Sequence, residues 1–321
     1  MVNITFHDQP EKCRALWQEN FPETCFFDLW STRSAFRDGF QRPWLFLEAR
    51  QAGRCVGVLP LAWIEEENYF GYFPGETWSG KTWIEQNRIP ASSPEVVEAL
   101  LAAVPGPCRL RYLQDDRQLP AHDLTTDEIN YSLRPQSYQH SSTNYLETFN
   151  GKSRKKLLRE VENLKKLGPN FRLNHFPDVE RMFSLNLAAY RENSYFYDSR
   201  FLASFTNLAE TLRQNQGFRL VTVIIKDIIA AVDLVAVWQN HWTVLAGGTN
   251  PEFPGIAKLI NLYHIEEACR QKIAQVDFLC GDFNWKERFH LTPQQLYKID
   301  RGFKPTRPET DTGSDTEDHH D

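Results

Sequence analysis

The sequence predicts a mixed α/β fold in which one strand–helix order occurs twice. Residues 242–280 change their hydrophobic period from strand to loop to helix and back to strand. Two apolar runs at 219–238 precede this unit and read as a hairpin. A shorter version of the same order occupies residues 44–114. The repeated order is consistent with duplication of one α/β fold, with mixed sheets.

The first half begins with a predicted helix that reaches about Trp17. Residues 44–64 predict a β-hairpin, because two apolar runs flank a short turn that contains Gly53. Residues 114–142 are polar and contain two prolines, so they are the predicted connection between the halves. The other predicted elements are a strand at 69–73, a helix that begins at Pro94, and a strand at 108–114.

The second half begins with a basic helix at 152–167, which Gly168 and Pro169 end. The domains predicted are 1–140, 141–305 and an acidic tail at 306–321 that is too polar to order itself. The other predicted elements are a strand at 171–176, helices at 179–191 and 201–214, strands at 219–226, 228–238 and 241–247, a helix from about 256 to 273, and a strand at 276–280.

Charge and composition narrow the class of protein. The net charge is −6, but the tail beyond residue 306 has six acidic residues and one arginine, so the body is nearly neutral. A neutral body argues against a dedicated nucleic-acid binder that depends on a global basic field. Hydrophobic residues make up 41% and charged residues 24%, which is ordinary for a soluble globular protein.

The six cysteines are scattered, with no spacing typical of a zinc site or a disulfide framework. The N-terminus is polar and shows no signal peptide, and the most apolar region, 220–238, contains Lys226, Asp227 and Asp233. We therefore expect a reduced, cytoplasmic protein with no membrane span and no metal.

Gly255 lies in the loop that opens the helix of the 242–280 unit. Leu259, Leu262 and Ile265 share one apolar face of that helix, and Cys269 and Ile273 continue it. A glycine-containing loop before a helix presents free backbone N–H groups and the positive end of the helix dipole, which suits a phosphate. The alternative is an ordinary loop that binds nothing.

Residues 152–172 contain eight Lys and Arg and two Glu. They form either an ordinary solvated helix face or a surface for a polyanion, such as CoA, a nucleotide-linked sugar or tRNA.

The loop 75–88 mixes aromatic and polar side chains, which is typical of a pocket for a sugar or peptide acceptor. Trp78, Lys81, Trp83 and Glu85 are the candidate acceptor-binding residues. The alternative is a loop held together by its own tryptophans.

Three further residues are candidates for chemistry. Asp233 lies within an apolar strand, where a carboxylate is costly unless it is paired. Asp282 follows a predicted strand, and Lys286 comes four residues later and pairs either with Asp282 or with a ligand. No Ser–His–Asp or Cys–His arrangement is evident, so covalent catalysis is not favoured.

Residues 140–300, and 20–140 more loosely, resemble the GCN5-related N-acetyltransferase (GNAT) superfamily. Within it they are most similar to the CelD/BcsL-type, FemX-like branch, whose members carry two such folds in tandem. The resemblance is carried by the basic helix that opens at Gly151, by the pair Gly281-Asp282, and by the motif Trp285-Lys286-Glu287-Arg288-Phe289.

This resemblance implies two tandem GNAT-like acyl-CoA N-acyltransferase folds and transfer of an acyl group to an amine of a small-molecule, sugar or peptide acceptor. It implies that the donor contacts the backbone at Ala246 and Gly247 and that its pyrophosphate lies at Gly255, Ala257 and Lys258. It also implies that Lys286 is the characteristic lysine of the branch.

Two alternatives remain. A FemX-like enzyme takes its acyl group from aminoacyl-tRNA, although the neutral body favours acyl-CoA. A degenerate fold would serve as a binding module, which the acidic, proline-rich loop Pro251–Gly255 supports.

Overall fold

The computed structural model describes residues 2–114, 118–281 and 284–303. The predicted acidic tail therefore lies outside the described residues. The elements of the first half are β1 (Asn3–His7), α1 (Pro10–Asn20), α2 (Trp30–Phe40), β2 (Trp44–Gln51), β3 (Arg54–Ile64), β4 (Tyr69–Tyr72), β5 (Thr77–Trp78), β6 (Lys81–Thr82), α3 (Pro94–Ala102), β7 (Cys108–Leu113) and β8 (Leu124–Leu133).

The second half contains most of the helices in the described part of the chain. Its elements are α4 (Ser142–Glu147), α5 (Gly151–Lys165), β9 (Asn170–Leu173), α6 (Asp178–Tyr190), α7 (Ser199–Gln214), β10 (Phe218–Ile225), β11 (Ile228–Trp238), β12 (His241–Thr249), α8 (Ile256–Arg270), β13 (Gln275–Asp277), α9 (Trp285–Arg288) and β14 (Thr292–Arg301).

One twelve-stranded sheet runs through both halves, in the order β1-β2-β3-β4-β7-β14-β8-β13-β12-β11-β10-β9. Its pairs are antiparallel except for β4 with β7 and β12 with β13, which are parallel. Each half therefore has an antiparallel meander that leads into one parallel pair. The predicted mixed α/β fold with a repeated order is confirmed.

The two halves exchange strands at the centre of the sheet. The C-terminal strand β14 pairs with β7 of the first half, while β8 pairs with β13 of the second. The two exchanged strands also pair with each other, from Thr292 opposite Ser132 to Ile299 opposite Leu124. Within the predicted connection at 114–142, residues 124–133 make a ten-residue strand that the sequence did not predict.

The halves also share a hydrophobic core. Trp83 stacks on Phe36 at 5.1 Å between ring centroids, and Phe205 of the second half packs edge-on against it at 4.7 Å. Helices α2 and α7 cross closely at Gly39, where an added Cβ would lie 2.5 Å from Ser204 Oγ. This shared core fixes the relative position of the two parallel strand pairs.

Of the helices in the described part of the chain, none combines the length and the apolar character that a membrane crossing requires.

Candidate functional site

Both parallel strand pairs separate after a short stretch of pairing. β12 and β13 are paired from His241–Gln275 to Thr243–Asp277, and β12 then continues to Thr249 paired with β11 but not with β13. β4 and β7 are paired only at Phe70–Cys108 and Gly71–Arg109. We call the two divergences the C-terminal gap and the N-terminal gap.

The segment 84–88 lies between the two gaps and contacts both. Asn87 forms a parallel bridge with Leu113 of β7, within the N-terminal gap. The side chains of Glu85 and Gln86 reach residues 277–280, at the C-terminal gap. Sequence-distant parts of the chain thus meet in one buried polar cluster.

Asp277, the last residue of β13, is at the centre of this cluster. Its Oδ1 accepts from Asn130 Nδ2 and from the backbone N–H of Leu279, both at 2.8 Å. Its Oδ2 accepts from Gln86 Nε2. Burial raises the pKa of Asp277 above its ordinary value, although these three donors favour the charged form.

Glu85 is buried and lies beside Asp277. Both of its carboxylate oxygens are 2.9 Å from the backbone nitrogen of Cys280, which donates to them. Burial raises the pKa of Glu85 from 4.5 to about 7, and the nearby Asp277 carboxylate adds to the rise. A carboxyl group with this pKa takes up and releases a proton near neutral pH.

Lys286 completes the cluster from α9. Its Nζ donates to the backbone oxygens of Leu279 at 2.7 Å and Cys280 at 2.6 Å, and it lies 5.5 Å from the centroid of the Tyr131 ring. Burial lowers the pKa of Lys286, while the nearby Glu85 carboxylate opposes that shift. The lysine is 3% exposed, so its ammonium is held entirely by protein groups.

The polar cluster holds residues 279–280 in an unusual backbone conformation. Leu279 has φ of 62°, in the left-handed region that residues with a Cβ rarely adopt. Asp277, Lys286 and Glu85 all bind this turn. Such strain persists only where the surroundings determine it, and it occurs often at functional sites.

One buried and one partly buried tyrosine frame the same region. The hydroxyls of Tyr112 and Tyr195 both donate to the backbone oxygen of Thr82, at 3.2 and 3.1 Å. Burial raises the pKa of each phenol above its ordinary value. One tyrosine comes from each half, so the loop 75–88 is tied to both halves.

Some of the residues predicted from sequence meet in this cluster. Glu85 and Lys286 contact the same residue, Cys280. Trp78 and Lys81 lie at the other end of the loop, where Lys81 Nζ is 5.3 Å from the Trp78 ring centroid and donates to Asn193 O at 3.2 Å. Trp83 is in the shared core, so its ring packs against phenylalanines. Asp282 lies outside the described residues.

Asp233 lies apart from the cluster, in the second half. Its Oδ2 is 3.0 Å from Nε2 of His264, and both side chains are buried.

Gly247 lies directly opposite Asp233, where a Cβ would come within 2.2 Å of Oδ1. At the next position, Gly248, a Cβ would lie 2.5 Å from the backbone oxygen of Met182 on α6. Protein atoms therefore occupy the space beside the Cα atoms of both glycines. Ala246, the residue before them, is half-buried on β12 and packs against the shared core.

The loop before α8 has the expected position, and Gly255 adopts the left-handed conformation, with φ of 86°. Several of its N–H groups already donate within the loop, because Glu252 N donates to Asn250 Oδ1, and Phe253 N and Ile256 N donate to backbone oxygens. Ala257 is the second residue of α8, and Lys258 Nζ pairs with Glu160 of α5. The basic helix therefore lies beside the start of α8.

Sequence reasoning missed Asp277, Gln86, Asn130, Tyr112 and Tyr195. The sequence signal for Asp277 was a carboxylate within the short apolar run from Val276 to Phe278. The same kind of signal singled out Asp233. Their assembly depends on contacts between residues up to 191 positions apart, as for Gln86 and Asp277.

Among the described residues, Glu98, His122 and Asp123 form one group with the spacing of metal ligands. Both carboxylates pair with the guanidinium of Arg301, which already supplies the positive charge. This group therefore reads as an ion-pair network at the surface.

Comparisons with known proteins agree with this geometry. Residues 151–287 match the family model of the acetyltransferase (GNAT) domain. No curated protein sequence matches the chain.

Solved structures with the same fold cover almost the whole chain. FemX has a TM-score of 0.60 at 12% identity, over 94% of this chain and 97% of that one. L-PGS from Bacillus licheniformis has a TM-score of 0.56 at 11% identity, over 92% and 93%. A tandem GNAT protein from the clavulanic acid biosynthesis pathway has a TM-score of 0.50 at 12% identity, over 95% and 100%. The chain thus has the tandem GNAT fold that FemX also has, and its residues 151–287 belong to the acetyltransferase (GNAT) domain family.

Proposed function

We propose that this protein transfers an acyl group from acyl-CoA to an amine of a small-molecule, sugar or peptide acceptor, with Glu85 as the general base. One observation carries the proposal. The buried Glu85 carboxylate accepts a hydrogen bond from the Cys280 N–H at the point where β12 and β13 separate. The raised pKa of Glu85, about 7, suits proton uptake from an ammonium at neutral pH.

The reaction would use the cluster as follows. An amine attacks only in its neutral form, so Glu85 accepts the proton that the acceptor must lose. The neutral nitrogen forms the C–N bond at the acyl carbon, the C–S bond breaks, and the CoA sulfur leaves as the thiol with the second proton that the nitrogen loses. Lys286 holds the turn at Leu279 and Cys280 and places positive charge near the developing oxyanion.

The donor would extend from the C-terminal gap to the start of α8. Its acyl end would lie at the backbone of Ala246 and Gly247, and its phosphates near Gly255, Ala257 and Lys258. Because loop N–H groups already donate internally, we propose that the side chains of α5 supply much of the attraction for phosphate. Trp78 and Lys81 would border the acceptor. A cytoplasmic setting is part of this proposal, since six free cysteines require a reducing compartment.

The first test is calorimetric titration with acetyl-CoA. We expect a dissociation constant below about 1 mM for the wild-type protein. Reversing two charges on α5, Lys155→Glu with Arg159→Glu, should weaken binding by roughly tenfold or more. The matched control is Lys12→Glu with Arg14→Glu on α1, which makes the same charge change at exposed positions of the first half.

A second candidate donor is aminoacyl-tRNA, which one observation favours. Exposed basic side chains follow α5 from Lys152 to Lys166, over about 21 Å at 1.5 Å per residue. This length exceeds what one diphosphate needs. If acetyl-CoA fails to bind at millimolar concentration while aminoacyl-tRNA binds and the α5 variant loses it, the donor is the tRNA. If neither donor is consumed, the fold acts as a binding module.

A further inference from the structure

The N-terminal gap is filled by the chain itself. The backbone N–H of Asn87 donates to Tyr112 O at 2.8 Å, and Gln114 N donates to Asn87 O at 2.8 Å. Asn87 thus continues the parallel pairing of β7 beyond the point where β4 leaves it. At the C-terminal gap, the Glu85 carboxylate takes the place of a pairing strand, because it accepts a hydrogen bond from the Cys280 N–H.

Side-chain contacts strengthen this anchor. Asn87 Nδ2 donates to Arg111 O at 2.8 Å, and Asn87 is only 3% exposed. Its Oδ1 is buried and has no hydrogen-bond partner within the described part of the chain. Asn87 is therefore attached to β7 by three hydrogen bonds, and its remaining acceptor faces the protein interior.

The space left at the N-terminal gap is small. Asn87 lines a cavity of about 20 Å³ together with Arg33, Glu76 and Thr82. This volume accommodates about one water molecule. Such a water could donate hydrogen bonds to Asn87 Oδ1 and the Glu76 carboxylate and accept one from the Arg33 guanidinium. Pockets for drug-sized ligands have volumes of roughly 300–1,000 Å³. This cavity thus has no room for an acyl donor.

We propose that the N-terminal half of this tandem fold has lost its own donor site, and that Asn87 uses that gap as a clamp to position Glu85 for the reaction in the C-terminal half. The inference rests on the proposed function for the role of Glu85. Two extended residues span about 6.6 Å, so a fixed Asn87 leaves Glu85 little freedom. Gln86, between them, is bound to Asp277 and is fixed as well. The chain should bind one equivalent of donor, and Asn87 is a positioning residue that need not touch substrate.

The first measurement is the stoichiometry of acetyl-CoA binding to the wild-type protein by calorimetry. We expect one donor per chain, and two donors per chain would overturn the proposal. This measurement needs no variant, so it does not depend on whether a substituted protein folds.

The second measurement compares Asn87→Ala with Asn20→Ala, which removes an amide that donates to Leu16 O at 2.8 Å on α1. We expect kcat of Asn87→Ala to fall by roughly tenfold or more while KM for the donor changes by less than about threefold. The acid limb of its pH profile should move down from about 7 towards the value of a free glutamate. Asn20→Ala should keep the wild-type profile. A merely structural role would lower the melting temperature of Asn87→Ala and leave the pH profile unchanged, which would contradict the inference.

A third measurement separates this inference from the proposed function. The ionisation of Glu85 can be followed by isotope-edited infrared spectroscopy in the absence of any donor. A lower pKa of Glu85 in Asn87→Ala than in the wild type supports the clamp even if no acyl donor binds. An identical pKa in both proteins refutes the clamp even if acetyl-CoA is a substrate.

Discussion

Glu85 and Lys286 bind opposite ends of the same residue, Cys280. The Glu85 carboxylate accepts from the Cys280 N–H at 2.9 Å, and the Lys286 ammonium donates to the Cys280 carbonyl oxygen at 2.6 Å. Glu85 belongs to the first half of the chain and Lys286 to the second. The two halves are thus joined at the proposed reaction centre by a buried acid and a buried base, each of which shifts the pKa of the other towards its charged form.

We predict that Glu85→Gln stabilises the protein at pH 8 and abolishes its pH-dependent destabilisation. The pKa of Glu85 is raised in the folded state, so the folded protein binds this proton more tightly than the unfolded chain does. The free energy of unfolding therefore falls as pH rises from 4.5 to about 7, and the cost is complete above 7. The shift corresponds to about 3 kcal/mol at most, which Gln avoids because it is neutral.

The measurement is urea unfolding of both proteins at pH 4, 6 and 8. We expect the difference between variant and wild type to grow across this series. A constant difference would show that Glu85 has an ordinary pKa. The same variant should lose activity by roughly 10²–10⁴-fold if Glu85 is the base, because Gln cannot accept the proton.

We predict that Lys286→Met lowers both stability and activity. Removing the ammonium leaves the buried carbonyl oxygens of Leu279 and Cys280 without this donor, at about 1–3 kcal/mol. Loss of the positive charge also raises the pKa of Glu85 further, so the acid limb of the pH–rate profile should move above 7. Both effects follow from one substitution, because Lys286 binds the turn at Leu279 and Cys280 and also lowers the pKa of the Glu85 carboxylate.

The pH profile and urea unfolding together test this. The control is Lys298→Met on β14, an outward-facing position where an exposed ion pair contributes at most about 1 kcal/mol. A Lys286→Met protein that keeps the wild-type profile would remove the lysine from the proposed reaction centre.

The elements that could be predicted from the sequence are those whose own residues show a clear hydrophobic period. The hairpins at β2–β3 and β10–β11, the helix α8 and the basic helix α5 were all identifiable from hydrophobic period and turn residues. The strands that were missed include β8 and β14. Both carry several polar or charged residues, such as Asp127 and Lys298, so the alternation that marks a strand is weak.

The reaction centre was only partly visible for a related reason. Glu85 stood out within an aromatic loop and Lys286 within a family motif, but nothing in their local sequence shows that they meet. Their meeting depends on the shared core and the exchanged strands, which are long-range contacts. Gly247 is a further example, because the local sequence does not show that the Asp233 carboxylate occupies the space beside its Cα.

We predict that Gly247→Ala destabilises the protein through Asp233. An added Cβ would lie 2.2 Å from Asp233 Oδ1, so the carboxylate must move away from His264. Crowding of this kind costs about 1–3 kcal/mol. Gly151→Ala is the matched control, because nothing lies within 4 Å of its added Cβ. It should be neutral or slightly stabilising at the start of α5.

A double-mutant cycle with Asp233→Ala identifies the cause. If the carboxylate is the obstacle, Gly247→Ala should cost less in the Asp233→Ala background, with a coupling of about 1 kcal/mol or more. Additive effects would assign the damage at Gly247 to another neighbour.

We propose a boundary near residue 140, and we predict that fragments 1–140 and 141–321 do not fold alone but complement each other. The first fragment lacks β14, the neighbour of β7, and the second lacks β8, the neighbour of β13. Each isolated fragment would expose open strand edges at the centre of the sheet and one side of the shared core.

Circular dichroism and thermal unfolding of each fragment, separately and after mixing or co-expression, test this. We expect cooperative unfolding only for the pair, together with recovery of acetyl-CoA binding if the proposed donor is correct. A second fragment that unfolds cooperatively by itself would show that the GNAT domain at 151–287 is stable without β8. The exchanged strands would then serve to align the two halves and to bring Glu85 to Lys286, and would not be needed to form the fold.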